Sequence, residues 1–386
     1  LHKKGGGRMD HSGSFTDSVT NLRIGFIGFG LIGGSIARAL KKVSSSITIL
    51  AYDYRQGKSN AGLHAALADK TLDAVTCSLA DFGDCNIIFL CAPVLANIEY
   101  LHQLKPILNP DCILTDVGSV KGNIHEEVKR LGLEAQFIGG HPMTGSEKTG
   151  YRNSYALLLE NAYYIFTPTD QVPKEKVELL LSLARQMGSI PILLHAREHD
   201  AITAAISHLP HIIAAQLVNF VRNSDDKAET MRTLAAGGFK DITRIASSSP
   251  VMWQNICLTN ASGIKEMLDG YIKSLQEVSD ALSRRDEKFL YNIFETAGEY
   301  RNSIPNSAKG ILEKVYEIYL DITDEAGAIA TIATQLAVNQ ISIKNIGILH
   351  NREFEEGVLR IEFYNQDSVE KAIEVLNHFQ YHLYVR

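Results

Sequence analysis

Apolar and polar positions alternate along the first half of the chain in a way that predicts strands and helices in turn. Residues 22–27 form an apolar strand that ends at a glycine-rich turn, and residues 46–52 form a second strand. A continuous apolar run at 86–91 is typical of a central parallel strand, which is buried on both faces. Further strands are predicted at 112–116, 137–140, 162–167 and 190–195. This alternation predicts an α/β domain with a doubly wound, mainly parallel sheet.

The turn after the first strand has the spacing G-x-G-x-x-G, which indicates a dinucleotide site. In such a turn the first glycine permits a tight bend, the second lets a pyrophosphate approach the backbone, and the third lets helix and strand pack closely. The helix N-terminus that follows offers N–H groups and a partial positive charge to the phosphates. Because glycine turns also serve packing alone, the motif needs support from its surroundings. The residues expected to bind the cofactor here are Gly28, Gly30, Leu31, Ile32 and Gly33.

An acidic residue supplies that support. Asp53 directly follows the second strand, 20 residues after Gly33, where a carboxylate should accept hydrogen bonds from ribose hydroxyls. A carboxylate there repels a 2′-phosphate and favours NAD over NADP, although Arg55 weakens this preference. Ala92 and Pro93 end the central strand and are expected to line the same crevice. The order of these elements predicts a Rossmann-type NAD-binding domain over residues 21–196.

The remainder of the chain changes pattern twice. Residues 197–301 are predicted to be helical, with a long apolar helix at 198–221 that Pro210 should kink. An apolar helical domain of this length commonly buries itself against a second copy, so we expect a homodimer. Residues 302–314 are predicted to be a linker, and residues 315–386 follow a ferredoxin-like β-α-β-β-α-β order. Residues 1–20 are polar and glycine-rich, and we expect a mobile lead-in or tag remnant.

Composition narrows the class of protein. A chain of 386 residues with 45% hydrophobic residues can form two or three domains with sizeable cores. Its net charge of −6 and the lack of a basic block argue against nucleic-acid and anionic membrane partners. We expect no apolar run near the roughly 18 residues of a membrane span. The five cysteines, with no Cys-x-x-Cys pair, favour a reducing cytoplasm and no metal site.

Two side chains with catalytic potential are predicted just past neighbouring strand ends. An enzyme that transfers hydride must remove a proton from the hydroxyl being oxidised, and histidine suits that task because its pKa is near neutral. His141 is therefore the predicted base, and Ser119 is predicted to orient it, the hydroxyl or the cofactor carboxamide. The structural alternatives are a histidine bonded to a turn and a serine that caps the next helix.

Candidate groups for binding an acidic substrate gather in the helical region. His208 and His211 are three residues apart and would share a helix face on which they could bind a carboxylate. Glu147 is a candidate partner for one of them. The alternative is that both histidines are satisfied within the kink at Pro210. Trp253 is expected to be a core residue or a pocket wall.

A second pair of cations lies further along the same region. Lys240 and Arg244 are four residues apart on one predicted helix face, and a guanidinium binds a carboxylate bidentately. The alternative is a surface ion pair of Arg244 with Asp241.

Taken together, these residues resemble the prephenate dehydrogenase family of the TyrA type with a C-terminal ACT domain. The motifs span residues 21–300, and the ACT resemblance covers 315–386. The segments that carry the resemblance are GFGLIG at 28–33, DVGSVK at 116–121, GGHPMTG at 139–145, SHLPH at 207–211 and GGFKDITRIA at 237–246.

The resemblance implies oxidative decarboxylation of prephenate to 4-hydroxyphenylpyruvate with NAD, on the route to tyrosine. It implies that His141 accepts the hydroxyl proton and that Ser119 orients the pair. Arg244 would then bind the ring carboxylate, and His211 would help to hold the pyruvyl arm. The ACT resemblance implies feedback inhibition by L-tyrosine, with a dimerisation module that binds no ligand as the alternative. The expected effector residues are Asp324, Glu325, Ala326 and Gly327.

Three other functions remain open at this point. An arogenate dehydrogenase would act on a substrate with an amino group in place of the keto oxygen. A non-catalytic NAD-binding amino-acid sensor would bind without turnover, which the presence of His141, Ser119 and Arg244 argues against. A generic β-hydroxyacid dehydrogenase would need a lysine base in the helical domain, and the histidine-rich motifs fit that less well.

Overall fold

The structure is a computed structural model in which two compact units, 1–308 and 309–386, are distinguished. The residues described are 21–55, 58–59, 61–145, 148–304, 316–322, 325–349, 357–379, 381 and 383–384. The predicted lead-in at 1–20 lies outside them. Most of the predicted linker does too, although the last helix of the first unit continues through Ser303 and so enters it.

An eight-stranded sheet forms the centre of the first unit. Its strands are β1 (Arg23–Ile27), β2 (Thr48–Tyr52), β5 (Ala74–Val75), β6 (Ile87–Leu90), β7 (Ile113–Asp116), β8 (Phe137–Pro142), β9 (Tyr163–Pro168) and β10 (Ile190–Leu193). A separate hairpin pairs β3 (Tyr54–Arg55) with β4 (Lys58–Ser59). The sheet order is β10-β9-β8-β7-β6-β1-β2-β5, and every pair is parallel except β8 with β9. The strand order reverses between β1 and β6, which is where this architecture binds its ligand.

Helices cover both faces of this sheet. They are α1 (Leu31–Val43), α2 (Ala61–Ala68), α3 (Val94–Leu104), α4 (Gly122–Leu131) and α5 (Lys174–Gln186). Successive residues of β6 enter opposite cores: Phe89 packs in the cluster that includes α1 and α5, and Ile88 in the cluster that includes α3 and α4. This explains the unbroken apolar run, because a strand covered on both faces needs apolar side chains at every position.

The helical region predicted after residue 197 is confirmed. It contains α6 (Ala196–Thr203), α7 (Leu209–Ser224), α8 (Thr230–Leu234), α9 (Gly237–Thr243), α10 (Pro250–Thr259), α11 (Ala261–Arg284) and α12 (Glu287–Ser303). Within this region Asn260 separates α10 from α11. The backbone of Asn260 leaves the helical conformation, and its side chain bonds to the Asp200 carbonyl and the His208 ring.

A π-helical turn, Ala204–His208, joins α6 to α7 two residues before Pro210, where the sequence predicted a kink. Pro210 lies in the first turn of α7. The continuous run Ala196–Ser224 has 29 residues and contains an 18-residue window with a mean hydropathy of 1.4, so by length and composition it could cross a membrane. The expectation of no such stretch was therefore wrong. The core helices of globular proteins pass the same test, and this run carries polar side chains that bond to the nucleotide-binding part.

The second unit has the predicted order of elements. These are β11 (Tyr316–Ile322), α13 (Ala328–Val338), β12 (Ile343–Leu349), β13 (Gly357–Phe363), α14 (Gln366–His378) and β14 (Leu383–Tyr384). The sheet is antiparallel in the order β12-β13-β11-β14, which is the ferredoxin-like arrangement. Alternate residues of β11 (Ile318, Leu320 and Ile322) face a buried core that both helices cover.

Candidate functional site

The glycine turn has the geometry that a dinucleotide phosphate requires. Gly28 has a φ of +83°, and a Cβ there would lie 2.6 Å from the Ala92 nitrogen. A Cβ on Gly33 would lie 3.0 Å from the Gly28 oxygen, whereas a Cβ on Gly30 would meet open space. The α1 helix starts with no side-chain cap and no acidic residue in its first turn. The turn therefore leaves room at Gly30 for a phosphate facing the helix N-terminus.

Asp53 lies where the sequence predicted a ribose partner. It is 5% exposed, and its Oδ2 accepts a hydrogen bond of 3.0 Å from the Phe29 N–H, which joins the end of β2 to the glycine turn. On the other side of the turn, the fully buried Asn97 accepts from the Ala92 N–H at 3.2 Å and donates to the Leu90 carbonyl at 3.2 Å. These bonds hold the two loops of the crevice, and together the residues fit an adenine dinucleotide. Arg55 belongs to β3, and its side chain is outside the described residues.

The strongest electrostatic contact at the sheet edge was missed from sequence. Asp116, the last residue of β7, forms a fully buried ion pair with Lys121. The Lys121 Nζ also donates to the Gly140 carbonyl at 2.7 Å, and the Asp116 Oδ1 accepts from the Gly140 N–H at 3.1 Å. Burial lowers the pKa of Lys121, which the charge of Asp116 opposes. This pair ties β7 to β8 directly beneath His141.

His141 is part of a chain of three side chains. It lies inside β8 rather than beyond its end, which corrects the predicted strand boundary. Its Nδ1 lies 2.8 Å from Nε2 of His199, and Nδ1 of His199 lies 2.8 Å from Oδ1 of Asp200. His199 is fully buried. Neither His199 nor Asp200 was singled out from the sequence, although they stand side by side at the start of the helical region.

Asp200, and not Ser119, caps the N-terminus of α4, the helix that follows Ser119. Its Oδ1 accepts from the Lys121 N–H at 2.8 Å, and its Oδ2 accepts from the Gly122 N–H at 2.7 Å. These groups lie at the N-terminus of α4, which has no cap from its own side chains. Ser119 is half-buried in the loop between β7 and α4, two residues before this capped end.

The surroundings keep the imidazole of His141 neutral. Burial holds its pKa well below the ordinary value of 6.5, and the nearby His199, Lys121 and His208 lower the pKa further. Asp200 is partly buried, which opposes its ionisation, yet its bonds from His199 and the two backbone N–H groups outweigh this effect and lower its pKa. The arrangement is a neutral imidazole connected to an ionised carboxylate.

A second wall is built from the helical region. His208 is 1% exposed, and its Nδ1 lies 3.2 Å from the Asn260 Nδ2, which also donates to the Asp200 carbonyl. Because the amide nitrogen donates, the ring hydrogen of His208 belongs on Nε2, and that buried atom has no hydrogen-bond partner among the described residues. The buried Nε1 of Trp253 likewise has no partner within the described part of the chain. Two N–H donors in one wall can bind the oxygen atoms of an anionic ligand.

His211 stacks on this wall, with its ring centroid 3.9 Å from that of Trp253. Its Nδ1 donates to the Ser207 carbonyl at 2.8 Å. Burial lowers the pKa of His211, the bond to the Ser207 carbonyl opposes this shift, and the charge of Arg244 adds to it. Trp253 is therefore a pocket wall, one of the two roles expected of it.

The two predicted cations lie at the end of α9, and one predicted residue is not described. Arg244 directly follows Thr243, the last residue of α9, with helical backbone angles, and a 3₁₀ turn begins there. Both side chains are exposed. Glu147 lies outside the described residues, so its role stays a prediction.

Acid is expected to destabilise the first unit between pH 6.5 and 4. Burial lowers the pKa of His208 to about 4, whereas an unfolded histidine titrates near 6.5. Between these values the unfolded chain binds a proton that the folded chain does not, so stability that is complete above pH 6.5 is lost as the pH falls. The loss from His208 is about 2–3 kcal/mol. Urea unfolding at pH 7 and pH 4.5 measures it; equal free energies of unfolding at both pH values would contradict it.

Two family models match the chain. The model described as "Prephenate dehydrogenase, nucleotide-binding domain" matches residues 36–192, and "Prephenate dehydrogenase, dimerization domain" matches 195–296. The prephenate dehydrogenase of Bacillus subtilis is 36% identical over 347 residues, which is 89% of this chain and 93% of that protein.

Solved structures give the same picture. The prephenate dehydrogenase of Aquifex aeolicus, solved with hydroxyphenyl propionate and NAD+, is 30% identical with a TM-score of 0.69. The match covers 74% of this chain and 98% of that one. The arogenate dehydrogenase of Synechocystis is 28% identical with a TM-score of 0.66, over 74% of this chain and 100% of that one.

Proposed function

This chain belongs to the prephenate dehydrogenase family, and from that premise we propose that it catalyses NAD-dependent oxidative decarboxylation of prephenate to 4-hydroxyphenylpyruvate, a step in tyrosine synthesis. One observation carries the proposal. A neutral, half-buried histidine, His141, lies at the edge of the nucleotide-binding sheet beside a wall of N–H donors suited to an anion. Base, cofactor crevice and anion site are what this reaction needs.

NAD is held by the crevice between the glycine turn and the ends of β2 and β6. Gly28, Gly30 and Gly33 make room for the pyrophosphate, and the N–H groups of the first turn, including those of Leu31 and Ile32, face it. Asp53 accepts from the ribose hydroxyls, and Ala92 and Pro93 form the opposite lip. When bound, the nicotinamide supplies the hydride acceptor.

His141 accepts the proton of the ring hydroxyl as the hydride leaves the same carbon. Ser119, in the neighbouring loop, orients the hydroxyl and the histidine. The bond to the ring carboxylate then breaks, and its electron pair makes the ring aromatic. Because aromatisation drives this loss of carbon dioxide, the protein needs to bind that carboxylate rather than activate it.

The substrate has two carboxylates, and the helical region offers two sets of partners. Arg244 binds the ring carboxylate bidentately, and Lys240 adds positive charge on the same side. The pyruvyl arm lies against His211, with the unpartnered N–H groups of His208 and Trp253 as donors. Glu147 is proposed to pair with one of the histidines.

The test is the rate of NADH formation with prephenate and with arogenate, measured on the same preparation. Turnover of prephenate is the expected result. Turnover of arogenate alone would keep the mechanism and replace the substrate, a second candidate supported by the 28% identity to the Synechocystis enzyme. Bound NAD without turnover of either would favour a sensor.

We also propose that the helical region forms a homodimer. Large apolar side chains of this region are exposed in the single chain, among them Phe294 at 76%, Leu234 at 73% and Phe220 at 70%. Exposed apolar surface on this scale is typical of a face that a partner covers. We place the enzyme in the cytoplasm, since all five cysteines are free thiols, which a reducing compartment maintains.

L-Tyrosine is proposed to inhibit the enzyme by binding the second unit, taken as an ACT domain. The ferredoxin-like order of its strands and Gly327, whose φ of +97° ends the loop before α13, support this proposal. Glu325 and Ala326 lie in the same loop, and Asp324 lies outside the described residues.

Adding L-tyrosine is expected to lower turnover and raise the melting temperature of the wild-type enzyme, because a ligand that binds the folded state stabilises it. The variant Gly327→Val should lose both responses and keep its basal rate, because a β-branched residue is strained at positive φ. If tyrosine changes neither property in the wild type, the second unit is a dimerisation module without this ligand.

A further inference from the structure

We infer that His199 and Asp200 are positioning residues that hold His141 as its Nδ1–H tautomer, so that Nε2 of His141 is the atom that takes the substrate proton. The inference deepens the proposed function and rests on it. It follows from assigning a donor and an acceptor to each hydrogen bond among Asp200, His199 and His141.

The Asp200 carboxylate is an acceptor in every hydrogen bond that it forms here. Both oxygens of Asp200 accept from backbone N–H groups, those of Lys121 at 2.8 Å and Gly122 at 2.7 Å. These bonds fix the carboxylate in place. An ionised carboxylate only accepts hydrogen bonds, so the Nδ1 of His199, 2.8 Å away, must carry its hydrogen.

The protonation of His199 then determines that of His141. A neutral imidazole protonated on Nδ1 has only its Nε2 left as an acceptor. That Nε2 lies 2.8 Å from Nδ1 of His141, so the hydrogen between the two rings belongs to His141. His141 then has its lone pair on Nε2, on the side of the ring away from His199. The same logic places a buried aspartate behind the catalytic histidine of serine proteases.

The groups around His141 disfavour other protonation states of its ring. His199 is fully buried, and burial together with the nearby Lys121 and His208 lowers the pKa of His141. The Lys121 ammonium is committed to Asp116 and to the Gly140 carbonyl. His208 is held by Asn260 and carries its hydrogen on Nε2. The lowered pKa of His141 disfavours an imidazolium at that ring in the resting enzyme.

The inference also connects the base to the docking of two parts of the first unit. His199 and Asp200 belong to α6, the first helix of the helical region, whereas His141 belongs to the nucleotide-binding sheet. Asp200 accepts hydrogen bonds both from the N-terminus of α4 and from His199. The tautomer of the base is therefore correct only when α6 is seated on α4.

Three variants separate positioning from structure. His199→Leu removes the acceptor for Nδ1 of His141 and should lower kcat between about tenfold and a thousandfold, part of the effect of a positioned base, with little change in KM. His199→Gln should restore most of kcat, since its amide oxygen can accept from His141 while its NH2 donates to Asp200. His125→Gln is the matched control, because His125 is another histidine near Lys121, and its ring hydrogen-bonds only to Thr167 within the described residues.

A second readout does not depend on turnover. Nitrogen-15 NMR of histidine-labelled full-length enzyme reports which ring nitrogen carries the hydrogen, and His141→Asn identifies the signal. The wild type and His199→Gln should show the Nδ1–H form, and His199→Leu should not. A hydrogen on Nε2 of His141 in the wild type, or an unchanged kcat in His199→Leu, would overturn the inference. Wild-type enzyme that shows the Nδ1–H form but does not turn over prephenate would refute the proposed function and leave the tautomer assignment standing.

Discussion

His141→Asn is expected to lower kcat by about 10²–10⁴-fold while prephenate and NAD still bind. The asparagine fills much of the same space beside His199, yet it has no lone pair of comparable basicity to take the hydroxyl proton. The hydride then has to leave from a neutral alcohol. Stopped-flow measurement of NADH formation under saturating substrate gives kcat, and a binding titration in the same buffer gives the two dissociation constants.

The comparison needs a histidine that lies away from the site. His64 is exposed on α2, so His64→Asn should keep the wild-type kcat. Unchanged turnover in His141→Asn would remove His141 from the mechanism. A loss of NAD binding in that variant would instead mean that the histidine supports the crevice.

Arg244→Ala is expected to weaken the substrate complex by about 2–5 kcal/mol, seen mainly as a raised KM. The guanidinium is the proposed partner of the ring carboxylate, and removing it leaves that carboxylate without its charge partner. Much of the loss is the cost of the unpaired charge rather than the net value of the pair. The effect on kcat should be smaller, since a tight contact to the departing carboxylate stabilises the ground state as well.

Two further arginine variants sharpen this test. Arg244→Lys keeps the charge but not the planar fork, so it should recover only part of the affinity. Arg232→Ala removes an exposed arginine that pairs with Glu229 on α8, and it should leave KM unchanged. A KM that barely moves in Arg244→Ala would assign Arg244 a structural role.

The cofactor crevice was predictable because its signals are local. Gly28, Gly30 and Gly33 lie two and three positions apart in one turn, where backbone atoms crowd Gly28 and Gly33 and Gly30 leaves open space for a ligand. Asp53 follows from the length of one strand–helix–strand unit. The same holds for the fold class, since strands and helices differ in the period of their apolar positions.

The details of the helices were harder to predict. The π-helical turn at Ala204–His208 and the break at Asn260 leave the apolar pattern almost unchanged. Both depend on bonds to distant residues: Asn260 reaches the carbonyl of Asp200 and the ring of His208. Propensity alone cannot report such bonds, because tertiary contacts override it.

His141 illustrates where local reasoning ends. The local sequence predicts that this histidine lies near the end of a strand. It also predicts the positions of the glycines and of the acidic residue of the NAD crevice. The protonation state of His141 depends on His199, 58 positions away, and on Asp200, which in turn is held by the backbone of Lys121, 79 positions away. Such side chains meet only because β7, β8 and α6 pack together. Hydrogen-bond partners across those distances are a property of the packed chain, and that is why the catalytic tautomer could be assigned only from the tertiary structure.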